Sequence, residues 1–365
     1  MQVRSVAVIG AGLAGLACAL AAARAGASVA LLEARTAASG LPAHVDVVPN
    51  MLRDLVRLGV GEDCIRAGFA YRRSSAIGQR GQPLYAVDAE RLAGPRYPAA
   101  IGITHAELHR VLAAAALEAG VRLHVGTPVE GVADDGAALL QLANGEQLRA
   151  DLAVLACGAH SRLRERVFRE PPLAASGAEW IYFLAPRPAG LDDALHAGTA
   201  TGDKAHVVPV SGAFAGVRLS ARHAPADLGA AAARQLLARF PGPVGALAAD
   251  VPEDQPIARR VASPGLLRQP WARGCVLAAG DCAHAFPPHF GQSAAQAVED
   301  AVVLGELLSR PEPNLPEAWL QRRSARVQQV MAIALQAARW DAAPDSDTDL
   351  LQLARALDQV VRQPA

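Results

Sequence analysis

Short apolar runs alternate with Ala-rich stretches of helical period at both ends of the chain, and the middle is built differently. Val6, Val8 and Ile9 form an apolar run that suits a buried parallel strand. Leu13 to Arg24 is rich in Ala and Leu, both strong helix formers, and Gly26 stops it. Ser28 to Leu32 reads as a second strand with Glu33 at its end. The pattern then predicts a helix from Pro49 to Leu58 and a polar, Gly-interrupted hairpin excursion from Phe69 to Val87. Thr104 is a good N-cap, and Glu107 completes a capping box for a helix running to Ala119. Gly120 ends that helix and VRLHVG is a short strand. Val129 to Leu142 alternates around Asp134-Asp135-Gly136, a hairpin signal, and Asn144-Gly145 marks another turn. Asp151 to Ala156 is an apolar strand that ends in Cys157-Gly158.

From about Phe168 to Pro270 the chain is rich in Pro and Gly, with short β-like runs (WIYFLA, HVVPV, AGVRLS) and one Ala-rich helical stretch between Asp227 and Phe240. This predicts a sheet-based insertion. Val276 to Ala279 returns to a buried strand, followed by Gly280-Asp281 and a helix from Gln292 to Leu308. Pro311, Pro313 and Pro316 are expected to break it, before a helical tail from Glu317 to about Trp340 and another helix after Asp347. The class is α/β.

Composition narrows the function without naming it. The 365 residues are 52% hydrophobic, enough for a large core, and the net charge is +0. No basic cluster points to nucleic acid or an anionic membrane, and no apolar stretch makes a convincing membrane span. The first apolar run is already the first strand, so no signal peptide is expected. Cys18, Cys64, Cys157, Cys275 and Cys282 show no C-x-x-C spacing, which argues against a metal site or disulfide framework and for a reducing cytoplasm. Aromatic residues are only 4%, so Trp180, Tyr182, Phe183, Phe214, Phe286 and Phe290 are candidate pocket linings, Phe214 being expected in ordinary core packing.

Gly10, Gly12 and Gly15 fill G-x-G-x-x-G between the first strand and helix. Gly10 allows the tight turn, Gly12 admits a pyrophosphate close to the backbone, and Gly15 lets helix and strand pack closely. The helix start at Leu13 and Ala14 offers free N–H groups and a positive dipole end to phosphate. Glu33, with Ala34 and Arg35 beside it, stands where an acid hydrogen-bonds a ribose hydroxyl. The turn by itself does not separate FAD from NAD.

With GDCAHAFPPHFGQSAAQ read at the other end, the chain resembles the single-component FAD-dependent aromatic hydroxylases, the p-hydroxybenzoate hydroxylase-like monooxygenases. The likeness is strongest at 6–35, 104–118, 151–164 and 274–308 and weak in the insertion. It implies a Rossmann-type FAD-binding domain (1–70, 101–167 and 271–310), an inserted mixed β-sheet substrate domain (71–100 and 168–270) and a C-terminal helical segment (311–365). It also implies that Asp281 accepts hydrogen bonds from the ribityl chain and that Pro288 packs near the flavin's reactive edge. Gly291, Gln292, Ser293 and Ala294 would then turn their N–H groups to the pyrimidine end, where a helix N-terminus stabilises negative charge.

The chain departs from the family at several points. Cys157 replaces the usual Asp of the middle motif, where Gly158, Ser161 and Arg164 remain, and this puts nicotinamide use in question. His105 stands where a flavin-contacting Arg or Gln is usual, and His44-Val45 replaces Gly-Ile. His44 and His289 therefore become candidates for acid–base work on a phenolic substrate or for simple pocket lining. His284 reads as structural, and Cys157 as either a reactive thiol or inert packing.

The activity so implied is hydroxylation of a small aromatic substrate by O2 through a flavin C4a-hydroperoxide, with NADPH or NADH as reductant. Two other readings stand beside it: a flavin dehydrogenase or oxygenase fed by a separate reductase, and a catalytically silent FAD-binding protein. A monomer or homodimer is expected.

Overall fold

The computed structural model describes residues 3–36, 42–171, 173–175, 178–221, 224–225, 227–268, 270–344 and 347–365. The chain opens with β1 (Ser5–Ile9), α1 (Leu13–Arg24) and β2 (Ser28–Leu32). It continues through β3 (His44–Val47), α2 (Pro49–Arg57), α3 (Gly61–Ala67), β4 (Phe69–Tyr71), β5 (Arg73–Ile77), β6 (Pro83–Asp88) and β7 (Ala100–Thr104). Then come α4 (His105–Glu118), β8 (Arg122–His124), β9 (Val129–Asp134), β10 (Ala138–Leu142), β11 (Gln147–Ala150), β12 (Leu152–Leu155) and α5 (Arg162–Phe168). The middle holds β13 (Glu179–Pro186), β14 (Ala194–Gly198), β15 (Lys204–Pro209), β16 (Phe214–Ser220), α6 (Ala230–Leu237), α7 (Gly242–Ala246) and β17 (Ala258–Val261). Last are β18 (Gly265–Leu266), β19 (Ala272–Arg273), β20 (Val276–Ala278), β21 (His284–Ala285), α8 (Gln292–Leu308), α9 (Leu315–Ala342) and α10 (Leu350–Val361). The TAASGLPAH loop of the sequence reading lies largely outside the described residues.

One sheet runs β19-β20-β12-β1-β2-β8, parallel apart from β19. Apolar cores cover both its faces, as a parallel sheet requires. Small residues let the helices come close: a Cβ on Gly305 of α8 would stand 3.2 Å from Ala21 Cβ of α1. A second sheet, β17-β13-β16-β15-β14-β5-β6, is mixed because β14 and β5 are parallel. Its β5–β6 hairpin is the excursion expected from the sequence. One face buries Ile181, Phe183, Val217 and Leu219 against α6 and α7. A small third sheet, β3-β7-β4, lies against the opposite face. Gly102 of β7 sits under β15, where a Cβ would come within 2.1 Å of the Pro209 carbonyl. Gly216 of β16 sits under His44, where a Cβ would come within 2.3 Å of the ring.

Two expectations fail. Phe214 is not in the core but 44% exposed at a strand end. Pro316 does not break a helix; it lies in the first turn of α9, where its missing N–H costs nothing. The capping box of α4 forms by half. Thr104 Oγ1 accepts from the Glu107 N–H at 3.1 Å, while the Glu107 carboxylate pairs with Arg110. No helix among the described residues is long and apolar enough to cross a membrane.

Buried charge ties the C-terminal helices to the first sheet. Asp300 Oδ2 accepts from the Gly280 N–H at 2.8 Å and from His284 Nε2 at 2.7 Å. Its Oδ1 accepts from Arg323 Nε at 2.7 Å. Its neighbour Glu299 accepts from Arg323 at 2.6 Å and Arg326 at 2.9 Å. Arg326 and Arg53 also donate to the last carbonyls of α10, at 2.6 Å to Val360 and 2.8 Å to Val361. Burial alone would raise both carboxyls, but His284 and Arg323 hold Asp300, and Arg323 and Arg326 hold Glu299, below the ordinary value. Asp300→Ala leaves Arg323 without part of its counter-charge and the Gly280 N–H unpaired. Urea unfolding should show a loss of about 3–5 kcal/mol, the usual cost of breaking a buried pair on one side.

Candidate active site

The G-x-G-x-x-G turn is built as its spacing requires. The Gly10 N–H donates to the Leu32 carbonyl at 2.7 Å, and the Ala11 N–H donates to Glu33 Oε2 at 2.8 Å. Glu33 Oε1 accepts from the Arg35 N–H at 3.0 Å, while Ala34 and Arg35 are exposed. A Cβ on Gly15 would fall 1.7 Å from the Gly10 carbonyl oxygen, so helix and turn are in contact. A Cβ on Gly12 would meet nothing within 4 Å. Space is therefore kept in front of the first turn of α1, where Leu13 and Ala14 are half-buried and no side chain caps the helix. These features fit a dinucleotide: uncapped N–H groups, open room for a pyrophosphate and a carboxylate at the end of β2.

The helix that packs beside this turn reaches it through a different residue from the one the sequence singled out. His109 Nε2 donates to the Ala11 carbonyl at 2.9 Å, and His105 stacks on His109 with ring centroids 6.4 Å apart. Burial, His109 and Arg260 lower the His105 pKa. The i, i+4 spacing of the two histidines on one helix was the available signal.

At the far end, Asp281 lies in the turn after β20 with its carboxylate exposed, and Oδ1 accepts from Ser293 Oγ at 2.5 Å. Gly291, with φ +65°, starts α8, which also has no side-chain cap. Ala294 is half-buried in the first turn. Gln292 is buried, and its amide is committed to Asn50 at 3.3 and 3.4 Å, so only its main chain is free for a ligand. Pro288 precedes the His289–Gly291 turn, in which Phe290 takes φ +62°, a left-handed conformation costly for a non-glycine residue. Gly158, also left-handed, has open space around it. His284 is structural, as expected from the sequence.

The seam between the second and third sheets holds a set of residues that sequence reading did not assemble. Tyr182, Arg218, His206, His196, Ala76 and Tyr85 are successive register partners across β13, β16, β15, β14, β5 and β6. They form one row across the sheet. His196 and His206 stack at 4.2 Å, and His206 lies 6.0 Å from His44, whose ring is 6.5 Å from Tyr182. Asp46 Oδ2 is 3.7 Å from His206 Nε2, and Asp46 Oδ1 accepts from the Tyr71 hydroxyl. The Arg218 guanidinium lies 5.3 Å from the Trp180 ring, and Trp180 meets His289 edge-on at 5.6 Å. The His44 Nδ1, His206 Nδ1, Arg218 Nε, Trp180 Nε1 and both His289 ring nitrogens are buried without a hydrogen-bond partner among the described residues. Asp341, ion-paired to Lys204, stands 3.5 Å from His289 Nε2 in poor hydrogen-bonding geometry. Of the other aromatic candidates, Phe183 faces the opposite core, and Phe286 packs against His284 at 5.5 Å.

Burial and then the Arg218 charge depress His44 to about 3 and His196 to about 4. Burial, Arg218 and Lys204 bring His289 to about 3. Burial, His196, Arg218 and His44 push His206 well below the ordinary value. The imidazoles are thus neutral at pH 7, and neither His44 nor His289 has the near-neutral pKa that suits a general base. Arg218 is the cation common to all four.

Comparison with known proteins identifies the family and the fold. The family described as FAD binding domain matches residues 4–334. The 3-amino-4-hydroxybenzoate 2-monooxygenase PtmB3 of Streptomyces platensis is 31% identical over 352 residues, 89% of this chain and 85% of that protein. The 6-hydroxynicotinate 3-monooxygenase of Bordetella bronchiseptica is 29% identical over 337 residues, 84% of this chain and 82% of that protein. In fold, the chain is similar to Klebsiella pneumoniae HpxO complexed with FAD and uric acid. That structure has a TM-score of 0.80 at 24% identity and covers 98% of this chain and 92% of its own.

Two measurements test the site. Gly12→Val fills the space before α1, and Asp281→Ala removes an exposed acceptor. Both should weaken FAD binding in fluorescence titration, Asp281→Ala by about ten- to a hundredfold, the scale of a charge-assisted hydrogen bond of about 1.5–3 kcal/mol. The depressed imidazoles also set a pH dependence. In the unfolded chain they take protons near 6.5 and in the folded chain only near 3–4, so the unfolded state binds more protons between these values. Stability should therefore fall as pH drops from 7 to 4, seen as a declining Tm, and His289→Asn should flatten the slope.

Proposed function

The chain belongs to the FAD binding domain family, and on that premise we propose that it is an FAD-dependent monooxygenase that hydroxylates a small aromatic substrate with O2, using NADH or NADPH as reductant. The observation that carries this reading is the seam. Buried polar atoms of His44, His206, Arg218, Trp180 and His289 have no hydrogen-bond partner there among the described residues, beside the turn that opens α8. Native interiors rarely leave such groups unpaired, so a polar ligand is the natural partner.

FAD, when bound, supplies the redox chemistry that couples the nicotinamide to O2. The protein supplies position and electrostatics. The N-termini of α1 and α8, Glu33 and Asp281 hold the cofactor. Trp180 and Tyr182 offer flat apolar walls to an aromatic ring. Arg218 receives a carboxylate or phenolate oxygen of the substrate. The neutral imidazoles of His44, His206 and His289 accept hydrogen bonds from its hydroxyl groups. Burial is the main reason these imidazoles are depressed, and a negative charge placed on Arg218 offsets the coulombic part that this cation adds. The relatives are named for 3-amino-4-hydroxybenzoate and 6-hydroxynicotinate, aromatic compounds of this chemical type.

The test is NAD(P)H oxidation by the FAD-loaded enzyme across a panel of aromatic acids and phenols, with product mass measured under ¹⁸O2. A true substrate accelerates oxidation and gains one labelled oxygen; acceleration by none of the panel would refute the reading. Arg218→Gln should raise KM for an acidic substrate about ten- to a hundredfold at unchanged FAD content. His289→Asn should raise KM with kcat little changed, the pattern of lost uniform binding.

A further inference from the structure

We propose that Cys157 and Cys282 form a peroxide-reactive dithiol at the floor of the cofactor cleft, in which a hydroperoxide oxidises Cys157 and Cys282 closes a disulfide with it. The two residues meet because β12 and β20 are parallel neighbours, with Leu155 opposite Ala278 and the Ala279 N–H donating to the Leu155 carbonyl at 3.0 Å. Their C-terminal ends carry Cys157 and Cys282, whose sulfurs are 3.8 Å apart. A disulfide needs about 2.05 Å, so closure asks for side-chain rotation of under about 2 Å. Cys157 is half-buried, and its α-carbon is 3.0 Å from where a Gly10 Cβ would stand; Cys282 is buried directly after Asp281.

A buried cation lies beside the pair, and the Glu33 carboxylate works against an anionic sulfur at Cys157. Arg164 is 1% exposed, its Nε and Nη1 have no hydrogen-bond partner among the described residues, and its charge acts on Cys282. The Cys157 thiol lies 2.8 Å from Ser161 Oγ. The contact with Cys282, then Ser161, brings the Cys157 pKa below the ordinary thiol value against the effect of burial, while Cys282 is raised by that same contact and by burial. The remaining thiols are set against reaction. Cys18 and Cys64 are buried, and Cys275 donates to Asp134 Oδ1 at 3.2 Å and is pushed up to about 12 by burial and that carboxylate.

The chemistry balances. The Cys157 thiolate attacks one peroxide oxygen, the O–O bond breaks, and the departing hydroxide takes the proton released by the thiol to become water. The Cys282 sulfur then attacks the sulfenic sulfur; the S–O bond breaks, the S–S bond forms, and the leaving hydroxide takes the Cys282 proton. Two thiols lose two electrons and two protons, and hydrogen peroxide becomes two waters. Hydrogen peroxide is also what a reduced flavin yields with O2 when no substrate takes the oxygen, so the bound cofactor is itself a source of the oxidant. The assignment does not depend on the identity of the aromatic substrate.

The experiment treats the FAD-loaded protein with hydrogen peroxide, blocks free thiols with N-ethylmaleimide under denaturing conditions, and maps peptides by mass without reduction. The expected product is one linked peptide pair, Cys157 to Cys282, lost on adding dithiothreitol, with Cys18, Cys64 and Cys275 labelled as free thiols. In Cys282→Ser the link is absent, and dimedone traps the sulfenic acid on Cys157. Cys157 and Cys282 both recovered as free thiols in the native chain would overturn the proposal. So would oxidation of Cys275 ahead of Cys157, or conversion of Cys157 to sulfinic acid without the link.

Discussion

The buried carboxylate of Asp300 is the constraint on which the cofactor end of the molecule depends. It fixes the main chain at Gly280 and the ring of His284, and it receives the guanidinium of Arg323 from α9. The turn that presents Asp281 is thus not a free loop. It is clamped from behind by a helix that starts at the cleft and by another from the end of the chain. A charge removed from water costs several kcal/mol unless paired, and this one is paired on both oxygens. The same net, through Glu299, Arg326 and Arg53, ends on the last carbonyls of α10. The C-terminal helices therefore brace the cofactor turn from behind, and Asp341 at the end of α9 also comes within 3.5 Å of His289.

A second constraint is steric. The two sheets that form the seam approach as closely as they do because Gly102 and Gly216 present no side chain to each other's layer. His44 occupies the space over Gly216, which seats its ring beside the polar row, near His206 and Tyr182. The row takes its chemistry from strand register: one residue from each of six strands, all on one face, with Arg218 between Tyr182 and His206. The depressed imidazoles follow from that crowding and need no separate explanation.

Much of this was legible in the chain, and the reason lies in the range of the interactions. The first βαβ unit, the hairpins at Asp134–Gly136 and Asn144–Gly145, and helix Gln292–Leu308 are encoded by local periodicity and turn chemistry, and they form where the sequence predicts them. Asp281 and Ser293 could be named from one motif, and the structure joins them. The seam could not. Tyr182 is a candidate pocket lining by sequence, but His196, His206 and Arg218 are isolated polar residues in short strands, and only non-local pairing makes the four neighbours. The same holds for Cys157 and Cys282, whose meeting depends on two strands far apart in sequence being adjacent in the sheet. His109 was within reach of helical spacing from His105 but is marked by no motif. Phe214 went wrong because a strand pattern does not say where the sheet stops covering its residues.

The alternation along β13 to β16 has a consequence for how this scaffold can change. Every second residue faces the seam, and the residues between them face the core under α6 and α7. Ligand preference and folding are therefore written on interleaved but separate positions of the same strands. A lineage could replace His196, His206 or Arg218 one at a time and drift toward a new molecule without repacking the layer behind. The boundary of that freedom lies at Gly102 and Gly216, where any side chain would push the sheets apart and alter every contact in the row together.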